Sequence, residues 1–433
     1  MRVRSILPLA LVATTFGLAA QTPAPRPLVQ RIAAALDAVP AIDNHTHLLE
    51  PSPFRPELQA TAPVLLRSSN PIFVSVLKER FGVTWAASRG VDMDTEALAA
   101  RKVLMERLGG EAAYWKDHLA LTRTAVALVN QEWPEGTNGT TLRWVPFATT
   151  LLLPLPAESL ASRDPMTRAD LGRSRDALTK LLRQAGLSRE PATLDAYLAF
   201  VDAQLDRWKT QGAVAVKLYD AYQRTLVFAD VPRARAAALY AKGRQTALGR
   251  SDYLALQDHL ARHIFLACGK KGLPVHIHTS HGGGPFLRLQ DADVRNLESV
   301  LCDPRYFGTH FVLIHGGAPQ HEAAAYLSSN KSHVWIDLSA MPFLYARTEL
   351  VRALRIYLLF SPERTLFSTD SPGGPLVPAG AEVMHIALSR HLRECLAEAL
   401  AGLVEDGVWD ESRALDVGRN VLQGNARRLY GFP

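Results

Sequence analysis

Short apolar runs recur along the chain, and most end in a polar residue. Eight stand out, over residues 39–47, 121–130, 143–149, 212–218, 273–279, 310–315, 333–338 and 364–370. Unbroken apolar runs of this kind suit parallel strands buried on both faces. Between them lie amphipathic stretches at helical spacing, over 194–209, 252–270, 322–328 and 382–403. Strand alternating with helix predicts a parallel α/β architecture, and eight strands predict a closed (β/α)8 barrel of the TIM type. Two connections are too long for simple crossovers: 48–118 after the first strand and 219–272 after the fourth. Each is expected to carry helical insertions that shape a pocket over the catalytic face. The runs Gly282-Gly283-Gly284-Pro285 and Pro372-Gly373-Gly374-Pro375 punctuate loops just after strands.

In barrels of this type, chemistry sits at the C-terminal ends of the strands. The first predicted strand ends in His45-Thr46-His47. Residues i and i+2 of a strand share a side, so the two imidazoles point in one direction. Alone the motif is weak. With 14 His in 433 residues, chance supplies about half an His-x-His per chain, and a second occurs at His276-Ile277-His278. Its weight comes from the other strand ends. The fourth ends near Lys217, the fifth in His278, the sixth in His315 followed by Gly316-Gly317, and the eighth in Asp370. Imidazole and carboxylate together suit zinc, or less specifically iron, manganese or cobalt. Catalytic sites of this kind leave room for a water whose pKa falls toward ~7. A nearby carboxylate can take that water's proton and pass it to a leaving group.

The first 20 residues differ from the rest. Arg2 and Arg4 precede an apolar run ending in Gly17-Leu18-Ala19-Ala20, the pattern of a secretory signal peptide. The expected organisation is a signal peptide at 1–20, a lead-in at 21–38 and one barrel domain at 39–433. The protein is expected to be exported, periplasmic or secreted, with no stable membrane insertion after signal cleavage. A composition of 48% hydrophobic and 21% charged residues is that of a globular protein. The net charge of +6 includes Arg2 and Arg4, and the basic residues are scattered, so no nucleic-acid partner is expected. Cys268, Cys302 and Cys395 are odd in number and widely spaced, which argues against a thiolate zinc site or a disulfide framework.

The segments AIDNHTH (41–47), LPVHIHT (273–279), FVLIHGG (311–317) and LFSTDSP (366–372), in that order, resemble the amidohydrolase superfamily. The closing NVLQGNARRLY (420–430) is similar to the terminal helix of its amidohydrolase-related branch. The resemblance rests on order and strand placement more than on any single motif. It implies that His45, His47, His278 and Asp370 bind a divalent metal, with zinc the first choice. It implies that His315 is either a ligand of a second metal or a catalytic, substrate-polarising residue. Asp370 would also handle the proton of the water. Lys217 stands where some branches carry a carboxylated lysine between two metals, so one or two ions are expected.

The implied reaction is hydrolysis of an amide, lactone or ester bond in a small-molecule substrate. A metal-dependent decarboxylase of the same superfamily and a metal-binding protein without turnover are the rival readings. Homo-oligomerisation is left open. Tyr219, Tyr222 and Arg224 are candidate substrate-binding residues, with solvated loop as the plain alternative. His276, one pleat deeper than His278, is expected to support a ligand. Asp337 either orients a histidine or caps the following segment, Asp43 bonds a backbone group, and His281 belongs to a loop. The remaining histidines, His118 and His385 among them, are expected on the surface or in the core.

Overall fold

Eight strands form where the apolar runs predict them: β1 Ala41–Thr46, β2 Thr124–Asn130, β3 Leu142–Val145, β4 Val216–Leu218, β5 Val275–His278, β6 Phe311–Ile314, β7 Val334–Asp337 and β8 Thr365–Leu366. The computed structural model describes residues 27–49, 63–67, 70–84, 90–161, 165–280, 282, 287–371 and 381–433. The expected signal peptide, most of the Pro-rich lead-in, His281 and the Gly/Pro runs at 283–285 and 372–375 lie outside the described residues.

The strands are parallel and pair in sequence order, β1 to β3 and β4 to β8. Two seams complete the ring. Between β3 and β4, parallel bridges pair Trp144 with Ala213 and Phe147 with Lys217. Between β8 and β1, the Asn44 N–H donates to Phe367 O at 3.0 Å and the Asp370 N–H to His45 O at 2.9 Å.

α1 (Pro27–Asp37) precedes the barrel, and α2 (Pro71–Phe81), α3 (Gly90–Leu108) and α4 (Glu111–Leu121) fill the first long connection. α5 (Pro165–Gln184) and α6 (Leu194–Thr210) join β3 to β4, and α7 (Arg233–Gly243) and α8 (Arg250–Lys271) fill the second expected insertion. α9 (Glu298–Leu301), α10 (His321–Ser329), α11 (Met341–Leu344) and α12 (Arg347–Phe360) lie between the later strands. α13 (Ala381–Glu405), α14 (Glu411–Arg419) and α15 (Asn425–Tyr430) follow β8, the last two joined by a π turn. Local signals set several ends. Asn70, Thr193 and Asp410 accept backbone N–H bonds as N-caps of α2, α6 and α14. α5 buries Leu171, Leu178, Leu181 and Leu182 at helical spacing and presents its charged residues outward.

Alternation along the strands divides the core. Val275, Ile277, Phe311, Leu313, Val334 and Ile336 pack outward in the main cluster, under the helices. Inward, Ile42, Val312, Trp335 and Leu366 meet Ala426, Leu429, Tyr430 and Phe432 from the chain's last turn. These inward residues precede the polar strand ends in sequence. The C-terminal segment therefore fills the lumen from the side where the strands begin, and the polar ends gather at the opposite rim.

Candidate metal centre

β1 brings the first two histidines to that rim. Its register slips between Asp43 and Thr46, and this bulge lets Asn44 and His45 both face the lumen. His45 Nε2 stands 3.1 Å from Asp370 Oδ1, and His47 Nε2 stands 3.7 Å from the same oxygen. His315 Nδ1 lies 3.7 Å from Asp370 Oδ2. One ligand atom each from His45, His315 and Asp370 falls within 4.8 Å of the others. His278 Nδ1 is 3.1 Å from His315 Nε2, one ring further from Asp370. Lys217 Nζ is 3.4 Å from His45 Nε2. All six residues singled out at strand ends thus gather at one place, with His315 rather than His278 completing the tightest group.

The backbone is turned to achieve this. Ser280, His315, Ala340 and Asp370 follow β5, β6, β7 and β8, and all have positive φ, between 52° and 69°. Non-glycine residues pay roughly 1–3 kcal/mol each for such conformations, which persist where surrounding structure fixes them. Here Asp370 is fixed by its bond to His45 O, and His315 by the Ser339 hydroxyl, which accepts its N–H at 3.3 Å.

Partners around the ring orient the ligands. The Asn130 amide at the end of β2 lies 2.6 Å from His45 Nδ1. Asn130 Oδ1 has no hydrogen-bond partner among the described residues. A half-turn of the amide lets Oδ1 accept the Nδ1–H, which leaves the Nε2 lone pair facing Asp370. Ser339 Oγ is 3.0 Å from His315 Nδ1, and the Ser339 N–H donates to Asp337 Oδ1 at 2.9 Å. Asp337 therefore caps its own turn and also stands behind His315. Asp43 accepts the N–H of His45 (3.3 Å) and both the N–H (3.1 Å) and hydroxyl (2.6 Å) of Thr369.

His385 of α13 is 3.1 Å from Asp43 Oδ2 and 2.9 Å from His118 of α4. Nothing local in the sequence marks His385, Asn130 or Ser339 as neighbours of the ligand strands. Their roles come from contacts between distant segments.

Charge is confined in this ring. Burial, with Lys217 nearby, holds His45 well below the usual imidazole range, so its nitrogen is neutral and able to ligate. Burial pushes Asp370 up to about 7, against the pull of His47 and Lys217. Burial likewise lowers Lys217 to about 7, against Asp370 and Asp337. Nitrogen and oxygen donors that converge in this way, with His45 neutral among them, fit a divalent ion that accepts mixed N/O ligation.

The candidate substrate contacts divide. Tyr222 packs on His278 with ring centroids 4.6 Å apart, so it walls the site. Tyr219 bonds Ser174 Oγ at 2.7 Å and meets Phe147 edge-on. Arg224 is a correction. Its guanidinium is buried against Asp258 and the carbonyls of Thr225 and Val227, facing α8 and not the ligand ring. The apolar wall gives a buried guanidinium no alternative to such internal partners. His276 lies one pleat below His278, and its Nε2 is 2.7 Å from the Tyr430 hydroxyl. A cavity of about 690 Å³ on the outer wall, lined in part by Asp202, His263 and Arg305, lies away from these residues; within it His263 pairs with Asp202 and Arg305 with Asp230.

The family described as Amidohydrolase matches residues 175–432. No functionally curated protein matches the chain. A protein of Lactobacillus casei assigned as a metal-dependent hydrolase shares the fold with a TM-score of 0.65 at 17% identity, over 92% of this chain and 97% of its own. The glucuronate isomerase of Caulobacter crescentus does so with a TM-score of 0.61 at 14% identity, over 95% of each chain. The uronate isomerase of Thermotoga maritima gives 0.60 at 14% identity, over 93% of this chain and 97% of its own. At these identities the likeness is one of fold, and reactions differ within one fold. The family match takes in Lys217, His278, His315 and Asp370, and the barrel brings His45 and His47 to them: the chain belongs to the amidohydrolase family, whose enzymes are metal-dependent.

Proposed function

We propose that the protein is a metal-dependent hydrolase that cleaves an amide, lactone or ester bond in a small molecule. The convergence of His45, His315 and Asp370 within 4.8 Å carries this reading. A divalent ion such as zinc, when bound there, polarises a carbonyl and makes a water nucleophilic at neutral pH. His45, His315 and Asp370 would hold it, with His47 and His278 beside them. Asp370, beside His45 and His315, offers a carboxylate that would take a proton from water and return it to a leaving group. Ser339 holds the His315 ring toward Asp370. Tyr222 walls the pocket beside His278. Lys217 either pairs as an amine with Asp370 or, carboxylated, supports a second ion. Metal counting on the purified protein separates these. The N-terminal pattern supports export.

The test is a panel of esters, lactones and amides offered to the zinc-loaded protein in ¹⁸O-water. Hydrolysis puts one ¹⁸O into the product acid. A second reading is isomerisation, which adds no water. Asp370 and His315, 3.7 Å apart, can move a proton between two substrate positions, and proteins of this fold carry the names uronate isomerase and glucuronate isomerase. Conversion of a uronate to its keto isomer, with no hydrolysis across the panel, would replace the first reading with the second.

A further inference from the structure

Beneath the ligand ring a string of polar groups crosses the lumen, where barrels of this type are filled by apolar side chains. It begins at the end of the chain. The hydroxyl of Tyr430, the last residue of α15, meets His276 Nε2 at 2.7 Å and donates to Asn44 Oδ1. Asn44 Nδ2 donates to Asp337 Oδ2 at 2.6 Å. Asp337 Oδ1 accepts the Ser339 N–H at 2.9 Å, and Ser339 Oγ is 3.0 Å from His315 Nδ1. Asn44, His276, Asp337, Ser339 and His315 are all at most 2% exposed. The string runs from the C-terminal helix through β1 and the turn after β7 to the turn after β6.

The hydroxyl is fixed in place from below. Asn425 at the start of α15 donates to the carbonyls of Pro362 and Thr365, which ties the helix to β8. Phe432 stacks on the Tyr430 ring with centroids 5.3 Å apart. A buried amide such as Asn44 has no water to turn to. Without the Tyr430 hydroxyl, Asn44 Oδ1 and His276 Nε2 both lose a partner. Asn44 is then free to rotate away from Asp337, which leaves the carboxylate that anchors the Ser339 turn one partner short.

We infer that Tyr430 is a positioning residue of the metal centre, acting through Asn44, Asp337 and Ser339 on His315, so that the C-terminal helix helps set ion affinity. The inference rests on the reading of His45, His315 and Asp370 as ligands.

The test is the zinc Kd of the full chain, measured by competition with a chromophoric chelator, alongside thermal unfolding of the metal-free protein. Outer partners of metal ligands typically contribute 10–100-fold in affinity. Tyr430→Phe should therefore weaken zinc binding by about tenfold or more. Asn44→Ala breaks the same string while leaving the sequence of α15 unchanged, and should show a similar loss. The double variant Tyr430→Phe/Ser339→Ala should lose no more than the worse single variant, because both sit on one string. An unchanged Kd with a lowered Tm, or losses that multiply in the double variant, would overturn the inference. His45→Ala is the control. If it leaves zinc binding intact, the ligand reading itself fails. If it abolishes binding while Tyr430→Phe does not weaken it, only the positioning role fails.

Discussion

His45 and Asp370 meet twice. The Asp370 N–H donates to the His45 carbonyl at 2.9 Å, and their side chains meet at 3.1 Å. The first contact closes the seam between β8 and β1, and the second forms the heart of the candidate metal centre. Closing the barrel and assembling the site are therefore one event. The ligand set does not exist until the two ends of the barrel have paired.

Replacing either partner should empty the site before it unfolds the barrel. His45→Ala and Asp370→Asn are each expected to weaken zinc binding by more than the ~10–100-fold typical of outer partners. Elemental analysis after gel filtration reads the metal, and circular dichroism reads the fold. Full metal content in both variants would refute the ligand assignment.

Chelation should lower the stability of the parent protein by mass action. At a free zinc concentration about 100 times Kd, the bound ion contributes about 2.7 kcal/mol. Thermal unfolding with and without zinc should show this shift in the parent and lose it in Asp370→Asn. An equal shift in both would mean that zinc binds elsewhere.

Acid should act through His118. Burial, with His385 beside it, holds His118 well below its usual value of 6.5. The unfolded chain takes up a proton near pH 6.5 that the folded protein refuses. The stability linked to this group is intact above that pH and is lost as pH falls toward the folded value. His118→Asn should flatten the decline in unfolding free energy of the metal-free protein between about pH 6.5 and 5. Identical slopes for parent and variant would rule out His118 as a source of acid sensitivity.

Arg224 should matter for stability and not for substrate. Its side chain is 1% exposed and that of Asp258 is 10% exposed. Arg224→Ala strands a buried carboxylate and should cost about 3–5 kcal/mol in urea unfolding. Zinc content of the folded fraction should not change. A stable variant with a raised KM would instead return Arg224 to the substrate site.

Gly316 follows His315 with φ of +57°, and a Cβ there would lie 2.5 Å from the Tyr357 hydroxyl. That hydroxyl donates to Gly316 O at 2.6 Å, so it cannot withdraw without losing its bond. Gly316→Ala should destabilise the protein by roughly 1–3 kcal/mol and also weaken zinc binding, because the strain falls on the turn that holds His315. A loss of stability with unaltered zinc affinity would separate the turn from the site.

All eight strands and the four helices read from periodicity form where the sequence places them, because burial on two faces or on one stripe is a local pattern. The same pattern located the polar strand ends, and with them His45, His47, Lys217, His278, His315 and Asp370. It also placed Arg224 at a pocket because its position after β4 suggested one, whereas its direction was set by Asp258 on α8.

The order of elements, the barrel and the residue types at its rim are legible along the chain, since each follows from short-range alternation. Which of those residues touch depends on contacts made only once the chain has folded. The bulge in β1, the seam that joins His45 to Asp370, the His385–Asp43 contact and the string from Tyr430 to His315 all join segments far apart in the chain. Such contacts depend on register and on buried polar groups finding partners across the lumen, and periodicity along one segment carries no record of its partner.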